Sequence, residues 1–313
     1  MSVEFVIAVA VVLGLLLFFV QQVRRPARRG SPWTKRIRVA LTAVILAGAS
    51  IVFYAFYIEP NRLVVRQESI QIDQWPRELN DLRIGVLSDI HAGGAFIDEK
   101  KLRTIVERTN ALQPEIIVIL GDFISGDGRR HPLAMTPEQF APILKEFRAP
   151  LGVYAVLGNH DWWYNGRHVR EVLEQNGIKV LDDEVLKVDA RGTSFWLVGL
   201  ADLWTRPQRI GQTVAQLPEN TTVIALTHNP DIFPNVPSRV QLLIAGHTHG
   251  AQVHVPLIGY AVEPSNRYGE RYAHGHVYEN GHHLFITTGI GTSIVPVRLG
   301  VPPEIVLLTV KSP

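Results

Sequence analysis

Five short apolar runs along the chain each end abruptly in Asp, Asn or His. Apolar runs of this length, closed by a polar break, are typical of buried β-strands. The five segments cover residues 84–91, 116–122, 153–161, 223–228 and 242–249. Open α/β sheets place their binding sites at the carboxyl ends of the strands. The pattern therefore predicts that the polar residues after these strands meet at one edge of the fold.

Helical patterns separate the first of these strands. Apolar spacing and capping residues predict helices over residues 98–112, 137–148 and 166–175. This alternation indicates a parallel sheet with crossover helices. After Gly177 the sequence predicts a hairpin of residues 185–188 and 194–198, then short strands up to 304–310. We expect an α/β fold with two mixed β-sheets packed face to face and flanked by helices, an αββα arrangement.

The N-terminal part of the chain has a membrane-type pattern. Residues 3–20 and 37–58 are almost entirely apolar, and each would cover roughly 30 Å as a helix. The loop between them is basic and contains Arg24, Arg25, Arg28, Arg29, Lys35, Arg36 and, at its end, Arg38. The positive-inside rule places such a loop in the cytoplasm. A cleaved signal peptide fits poorly, because the basic residues follow the first apolar run instead of preceding it.

These patterns predict a multi-pass protein of the bacterial inner (cell) membrane. Residues 1–58 would be an anchor with two transmembrane helices, and residues 59–81 a linker with the first strands. The catalytic domain, residues 82–313, would lie outside the cytoplasm, close to the bilayer.

Composition limits the chemistry. The chain has no Cys, which excludes disulfides and thiolate metal sites and leaves carboxylate, amide and imidazole ligands. Seven of the 31 basic residues, but only one of the 29 acidic residues, lie before position 39. The rest of the chain is therefore mildly acidic, and nucleic acid is not expected as a specific partner.

The polar strand ends together supply more ligands than one metal ion takes. The candidates are Asp89, His91, Asp122, Asn159, His228, His247 and His249. Such a set suits two divalent ions about 3.5–4 Å apart, bridged by one carboxylate and one hydroxide. Ligation by oxygen and nitrogen permits manganese, iron or zinc.

The order of these motifs resembles a known family. Asp-x-His, Gly-Asp, Gly-Asn-His-Asp, a single His and Gly-His-x-His follow one another as in the calcineurin-like metallophosphoesterases, over residues 82–310. Residues 227–231, 246–250 and 291–305 are similar to the membrane-associated bacterial branch of that family. The motif at Asp122 departs from some relatives, because no acidic residue follows two or three positions later.

The resemblance implies a role for each motif residue. Asp89, His91 and His249 would hold one metal ion, and Asn159, His228 and His247 the other, with Asp122 bridging both. His160 would face the phosphoryl group, and Asp161 would hold the His160 ring in orientation. A positioned imidazole is a typical general acid for a departing oxygen.

We therefore expect a membrane-anchored hydrolase that cleaves a phosphoester, either a phosphodiester or a lipid-linked envelope substrate. Trp162 could cover an apolar part of the substrate, and Arg267 could bind its phosphate. One alternative is a pyrophosphatase for UDP-sugar lipids that faces the cytoplasm. Another is a binding scaffold without catalysis, which the complete ligand set and His160 disfavour.

Overall fold

The computed structural model describes residues 32–126, 133–260 and 267–313, together with positions 14 and 21. Apart from position 14, the first predicted membrane span, residues 3–20, lies outside this part of the chain. The chain divides into two compact units, Met1–Ile58 and Glu59–Pro313.

The first unit contains one long apolar helix. Helix α1 covers Pro32–Phe53, and a π-helical turn, Tyr54–Ile58, follows it. With the next short turn, the segment Pro32–Asn61 is 30 residues long and has a mean hydropathy of 2.3. Within the described residues it is the one helix long and apolar enough to cross a membrane. Large apolar side chains such as Val39 and Val44 lie exposed on it, as expected of a helix that is hydrophobic on all sides. It corresponds to the predicted span 37–58.

The second unit alternates strands and helices. In the described ranges its strands are β1 Val64–Gln71, β2 Leu82–Leu87, β3 Ile116–Ile119, β4 Val153–Ala155, β5 Lys179–Val180, β6 Glu184–Ala190, β7 Thr193–Gly199, β8 Val223–Leu226, β9 Leu242–Ala245, β10 His254–Val255, β11 Gly259–Tyr260, β12 Gly275–Glu279, β13 His282–Ile286 and β14 Glu304–Lys311. Its α-helices are α2 Glu99–Ala111, α3 Pro137–Leu144, α4 Asn159–Tyr164, α5 Gly166–Gln175 and α6 Ile210–Val214.

Twelve of these strands form two mixed sheets, and β10 and β11 pair with each other in a separate hairpin. As far as the chain is described, each sheet has six strands, in the orders β1-β14-β2-β3-β4-β5 and β12-β13-β9-β8-β7-β6. Strands β2 to β5 run parallel, and β14 pairs antiparallel with β2. In the second sheet β7, β8, β9 and β13 run parallel, with antiparallel partners at both edges. The prediction of two mixed sheets is confirmed.

The two sheets pack against each other through one shared core. Ile84 and Val118 of the first sheet belong to the same buried cluster as Ile224 and Ile244 of the second. A second core lies between the first sheet and helices α2, α3 and α5, and a third lies on the outer face of the second sheet. Burial on both faces explains why these strands are continuous apolar runs. The arrangement is the αββα fold expected from the sequence.

The segment 59–81 differs from its expected form. The sequence predicts a linker with two short strands, whereas the structure has the single eight-residue strand β1. It pairs along its whole length with β14, from Val64 opposite Glu304 to Gln71 opposite Lys311. Pairing with a strand more than 200 residues later has no local signal in the sequence.

Candidate metal centre

The carboxyl ends of five strands converge on one place between the two sheets. Asp89 and His91 follow β2, Asp122 follows β3, Asn159 follows β4, His228 follows β8, and His247 and His249 follow β9. All of these side chains are buried except that of His247, which is half-buried. The structure therefore brings all seven predicted ligand residues together.

Asp89, His91 and His249 form a first cluster, with ligand atoms within 4.8 Å of one another. The Nε2 atoms of His91 and His249 are 3.2 Å apart. The Oδ1 atom of Asp89 is 3.3 Å from His249 Nε2. Two nitrogens and one oxygen thus face one small volume.

A second cluster surrounds the Nε2 atom of His228. It lies 3.0 Å from His247 Nδ1, 3.2 Å from Asn159 Oδ1 and 3.3 Å from Asp122 Oδ2. The same Asp122 oxygen is 3.8 Å from Nε2 of His91 in the first cluster. Asp122 therefore stands between the two clusters, where a bridging ligand would have to lie.

The backbone at these positions adopts an uncommon conformation. Asp89, His91, Asp122, His247 and His249 all have positive φ angles, between 47° and 71°. Non-glycine residues adopt this region rarely, at a cost of order 1–3 kcal/mol each, and such strain concentrates at functional sites. The side chains are directed inward by these turns after the strands, not by strand alternation.

The loops after β3 and β4 approach each other closely because Gly158 has no side chain. A Cβ atom at Gly158 would lie 2.3 Å from Asp122 Oδ1 and 2.7 Å from the Asp122 nitrogen. His160 N donates a hydrogen bond of 2.8 Å to the same Oδ1. Any other residue at position 158 would force Asp122 away from this place.

Hydrogen bonds outside the clusters fix the orientation of two imidazoles. Nδ1 of His91 faces the carbonyl oxygen of Ile124 at 2.9 Å, and Nδ1 of His228 faces that of Leu120 at 2.7 Å. A carbonyl only accepts, so each Nδ1 carries a proton and Nε2 points into the cluster, as is usual for metal-binding histidines. Within the described residues, buried Asp89 Oδ1 accepts no hydrogen bond. A cation between these atoms would satisfy them together, and the donor set fits a divalent metal ion.

The charge states of the site agree with this interpretation. Burial lowers the pKa of both His91 and His249, so each stays neutral and keeps an electron pair for a ligand bond. Burial, together with the charge of His228, lowers the pKa of His247 to about 3. Burial acts against a charged His228 too, but the Asp122 carboxylate outweighs it and raises the His228 pKa to about 10. A cation bound beside Asp122 would take the place of that proton.

His160 lies next to the first cluster, and its ring is held from one side. Its Nδ1 is 2.8 Å from the Gly126 carbonyl oxygen, and its Nε2 is 3.4 Å from Ser293 Oγ. Its ring packs edge to face on His91, with centroids 4.9 Å apart. With Nδ1 donating to a carbonyl, Nε2 is the atom free to face a substrate oxygen, and it can donate there when the ring carries a proton on both nitrogens.

The structure corrects the role expected of Asp161. Its carboxylate does not hold the His160 ring, because its oxygens accept backbone hydrogen bonds from Asp122, Phe123, Ile124 and Gly158, at 2.9–3.1 Å. Burial, and next the charge of Asp122, raise the pKa of Asp161 to about 7. Asp161 therefore supports the backbone of the Asp122 loop.

Aromatic residues form a rim beside the clusters. The Trp163 ring lies 4.8 Å from His160 and stacks at 6.3 Å on Trp204, which in turn packs edge to face on His247 at 4.3 Å. Trp162, expected to contact substrate, instead packs against the first core beneath Arg206. Its neighbour Trp163 is the residue that lies beside His160, and the substrate contact of Trp162 stays a prediction.

The other proposed substrate contact, Arg267, lies beside Tyr268, with its guanidinium carbon 6.0 Å from the ring centroid. Its phosphate contact stays a prediction.

Asp202 and Trp204 were not identified from the sequence, although a signal was present. Residues 195–202 repeat the pattern of an apolar strand ending in a carboxylate. Asp202 is buried after β7, and its Oδ2 accepts hydrogen bonds from Trp204 N, Thr205 N and Thr205 Oγ1. It thereby fixes the loop that holds Trp204 on His247.

The fold and the site together define a class of protein: a two-sheet α/β protein with candidate metal-binding side chains at its strand ends. A family model described as calcineurin-like phosphoesterase matches residues 82–251, and the chain belongs to this family. It is accordingly a metal-dependent phosphoesterase.

Its relatives include bacterial and animal proteins. The uncharacterized metallophosphoesterase YkuE of Bacillus subtilis is 29% identical over 277 residues, covering 87% of this chain and 94% of the relative. The phosphodiesterase YaeI of Escherichia coli is 26% identical over 284 residues, covering 88% and 98%. A transmembrane protein with metallophosphoesterase domain from Danio rerio is 28% identical over 297 residues, covering 88% and 63%.

Proposed function

We propose that this chain is a membrane-anchored phosphodiesterase that uses two divalent metal ions. The observation that carries the proposal is the position of Asp122, whose Oδ2 lies 3.3 Å from His228 and 3.8 Å from His91. A carboxylate between two separate groups of ligands is the arrangement that a two-ion site requires. Asp89, His91 and His249 would hold one ion, and Asn159, His228 and His247 the other. Manganese, iron or zinc fits this set.

When bound, divalent ions at these clusters supply Lewis acidity and activate water as the nucleophile. The chain's own residues do the rest. Asp161 fixes the Asp122 loop, and the Gly126 carbonyl fixes the His160 ring, so that the doubly protonated ring can donate from Nε2 to the departing oxygen. Asn159 contributes a neutral ligand, which limits the negative charge that an anionic phosphodiester meets.

The membrane anchor is supported by the apolar helix and by one relative. The segment Pro32–Asn61 is long and apolar enough to span a bilayer, and the Danio rerio relative is named a transmembrane protein.

The E. coli relative named a phosphodiesterase supports a diester as substrate. A lipid-linked envelope phosphodiester, cleaved outside the cytoplasm, fits an enzyme attached to the membrane.

The test uses the full chain purified in detergent. We expect bound metal near two ions per chain and hydrolysis of bis-p-nitrophenyl phosphate that chelation abolishes and manganese restores. His160→Ala should lower kcat by about 10²–10⁴, because the proton donor is lost, and should leave the metal content unchanged. Metal content is measured by plasma mass spectrometry and turnover by absorbance.

His276→Ala is the matched control, since His276 lies on the edge strand β12 and pairs with His283 at 2.8 Å. It should keep the activity of the unmodified chain. One ion per chain at saturation would contradict the two-ion site, and full activity of His160→Ala would refute the role given to His160.

A further inference from the structure

Four large apolar side chains stand exposed on two neighbouring loop tips of the catalytic unit. Leu257 and Ile294 are fully exposed, and Ile258 and Val295 are 83% and 45% exposed. We call these four residues the apolar tip patch. Single exposed apolar residues are common on soluble surfaces, but a group rimmed by polar residues marks an interaction site.

The two tips belong to one structural unit. Gln252, which precedes the β10–β11 hairpin, accepts a hydrogen bond from Ser293 N at 2.6 Å and donates one to Val295 O at 2.9 Å. His254 N donates to Leu299 O at 2.8 Å. The base of the hairpin and the loop at Ile294 are therefore held together, and both tips extend from one hydrogen-bonded unit.

Two of these exposed residues have a backbone conformation that bulky side chains disfavour. Leu257 has a φ of 70° and Ile294 a φ of 62°, in the left-handed region that bulky side chains avoid. In the described chain neither residue gains burial that would offset this strain. Contact with an apolar surface outside the chain would supply the missing burial.

The patch lies beside the reacting site. Ser293, which directly precedes Ile294, has its hydroxyl oxygen 3.4 Å from Nε2 of His160. Whatever surface covers the patch therefore lies close to the atom that donates to the departing group.

The patch also lies beside the start of the catalytic unit. Glu59 is buried, and its Oε2 accepts a hydrogen bond of 2.9 Å from Gly300 N, one residue after Leu299. Glu59 follows Ile58, the last residue of the unit that contains the apolar helix, with no linker between them. Gly300 is therefore bonded to the residue at which the chain enters the catalytic unit from the apolar helix.

We propose that the apolar tip patch inserts into the membrane surface, so that the active site takes its phosphodiester directly from the bilayer. The substrate class is a lipid phosphodiester whose hydrocarbon part stays in the membrane, which rests on the proposed function. Four side chains on two loop tips offer too little area for a protein interface, which buries about 800 Å² on each partner. They suit shallow insertion at the boundary of headgroups and acyl chains.

The absence of Cys from the chain makes a direct test possible. Leu257→Cys and Ile294→Cys each provide a unique site for a bimane label on the full chain, reconstituted into phosphatidylcholine–phosphatidylglycerol vesicles. We expect a blue-shifted emission and quenching by spin-labelled lipids. Asp189→Cys is the control, because Asp189 is 80% exposed near the β6–β7 turn, at the opposite end of β7 from Asp202. Its label should stay in water.

A kinetic test uses a soluble and a membrane substrate on the same vesicles. In the triple variant Leu257→Ser, Ile258→Ser, Ile294→Ser, turnover of bis-p-nitrophenyl phosphate should stay within about twofold. Turnover of a long-chain nitrophenyl phosphodiester in the bilayer should fall by about tenfold or more, because the burial of apolar side chains in lipid is lost. Tyr278→Ser removes an exposed aromatic residue from strand β12 and should change neither rate.

The outcomes separate the two proposals. The membrane contact would be overturned if the labels at 257 and 294 remain in water and the triple variant cleaves both diesters as fast as the unmodified chain. The proposed phosphodiesterase activity would then still stand. If the labels become shielded from water as the amount of protein per vesicle rises, but spin-labelled lipids do not quench them, a second copy of the chain covers the patch. That result would also overturn the membrane contact. Lipid quenching without cleavage of either diester would sustain the membrane contact and refute the proposed function.

Discussion

At the scale of single residues, Asp161 is buried beneath the loop that carries Asp122, and its oxygens accept backbone hydrogen bonds from Asp122, Phe123, Ile124 and Gly158. A carboxylate is suited to this place, because all of its lone pairs accept and every partner donates. The side chain thus stabilises a backbone turn with positive φ at Asp122. Its effect on the metal site is indirect, through the position of Asp122.

Asp161→Asn tests this role. The amide replaces one accepting oxygen with an N–H donor that faces other donors, so buried N–H groups lose their partners. We expect the free energy of unfolding to fall by about 2–4 kcal/mol, and metal affinity to fall with it. Urea denaturation of the detergent-solubilised chain measures the first, and titration with manganese the second.

Asp189→Asn makes the same chemical change at an exposed position and should alter stability by no more than about 0.5 kcal/mol. Equal stability of the two variants would contradict the supporting role of Asp161.

At the scale of secondary-structure elements, the site depends on how closely the loops after β3 and β4 approach. The Gly121 carbonyl accepts a hydrogen bond of 3.0 Å from Asp89 N, and the Asp122 carbonyl one of 2.9 Å from His91 N. The ligand loops therefore continue the pairing of β2 with β3 beyond the end of the strands. This rigid scaffold can hold the strained ligand positions that flexible loops would lose.

Gly158→Ala tests the loop approach. The new Cβ would meet Asp122 Oδ1 at 2.3 Å, so the loops must separate. We expect a loss of about a hundredfold in kcat/KM, the effect of a displacement of roughly 1 Å at a catalytic group. Diesterase assays and metal content measure it.

Gly211→Ala is the control, because no atom lies within 4 Å of the added Cβ in helix α6. Alanine should stabilise that helix by about 0.5–1 kcal/mol and leave activity unchanged. Retention of full activity by Gly158→Ala would show that the two loops separate without harm to the site.

At the scale of the whole molecule, a metal-dependent phosphoesterase is joined to an apolar helix without a linker. In the first unit, the basic residues lie between the two apolar runs of the sequence, before the second run. Such a charge distribution orients membrane helices with the basic loop inside the cytoplasm.

The orientation of the catalytic unit is therefore a prediction for intact cells. Protease added to spheroplasts should degrade residues 59–313, because the positive-inside rule places them outside the cytoplasm. Immunoblotting against the C-terminus measures the loss, and a cytoplasmic protein that survives shows that the membrane stayed closed. Protection of the catalytic unit until detergent is added would instead support the inward-facing pyrophosphatase.

The sequence by itself determined the parts whose signals are local. Runs such as residues 116–120 are buried on both faces, so their hydrophobicity alone identifies them as core strands. The ligand residues were identifiable because each follows such a run, and carboxyl ends of parallel strands share one edge. Most of the fold, and the meeting of all seven candidate ligand residues at one place, could be predicted in this way.

The tertiary structure alone decided the features that depend on residues far apart in sequence. The pairing of β1 with β14, the contact of Trp204 with His247, and the support of Asp122 by Asp161 join positions 39 to 240 residues apart. The bond between Glu59 and Gly300 and the shared position of the two apolar tips are of the same kind. Local sequence specifies a strand and its ending, but which loops meet is set by packing and backbone close approach, which no single segment encodes.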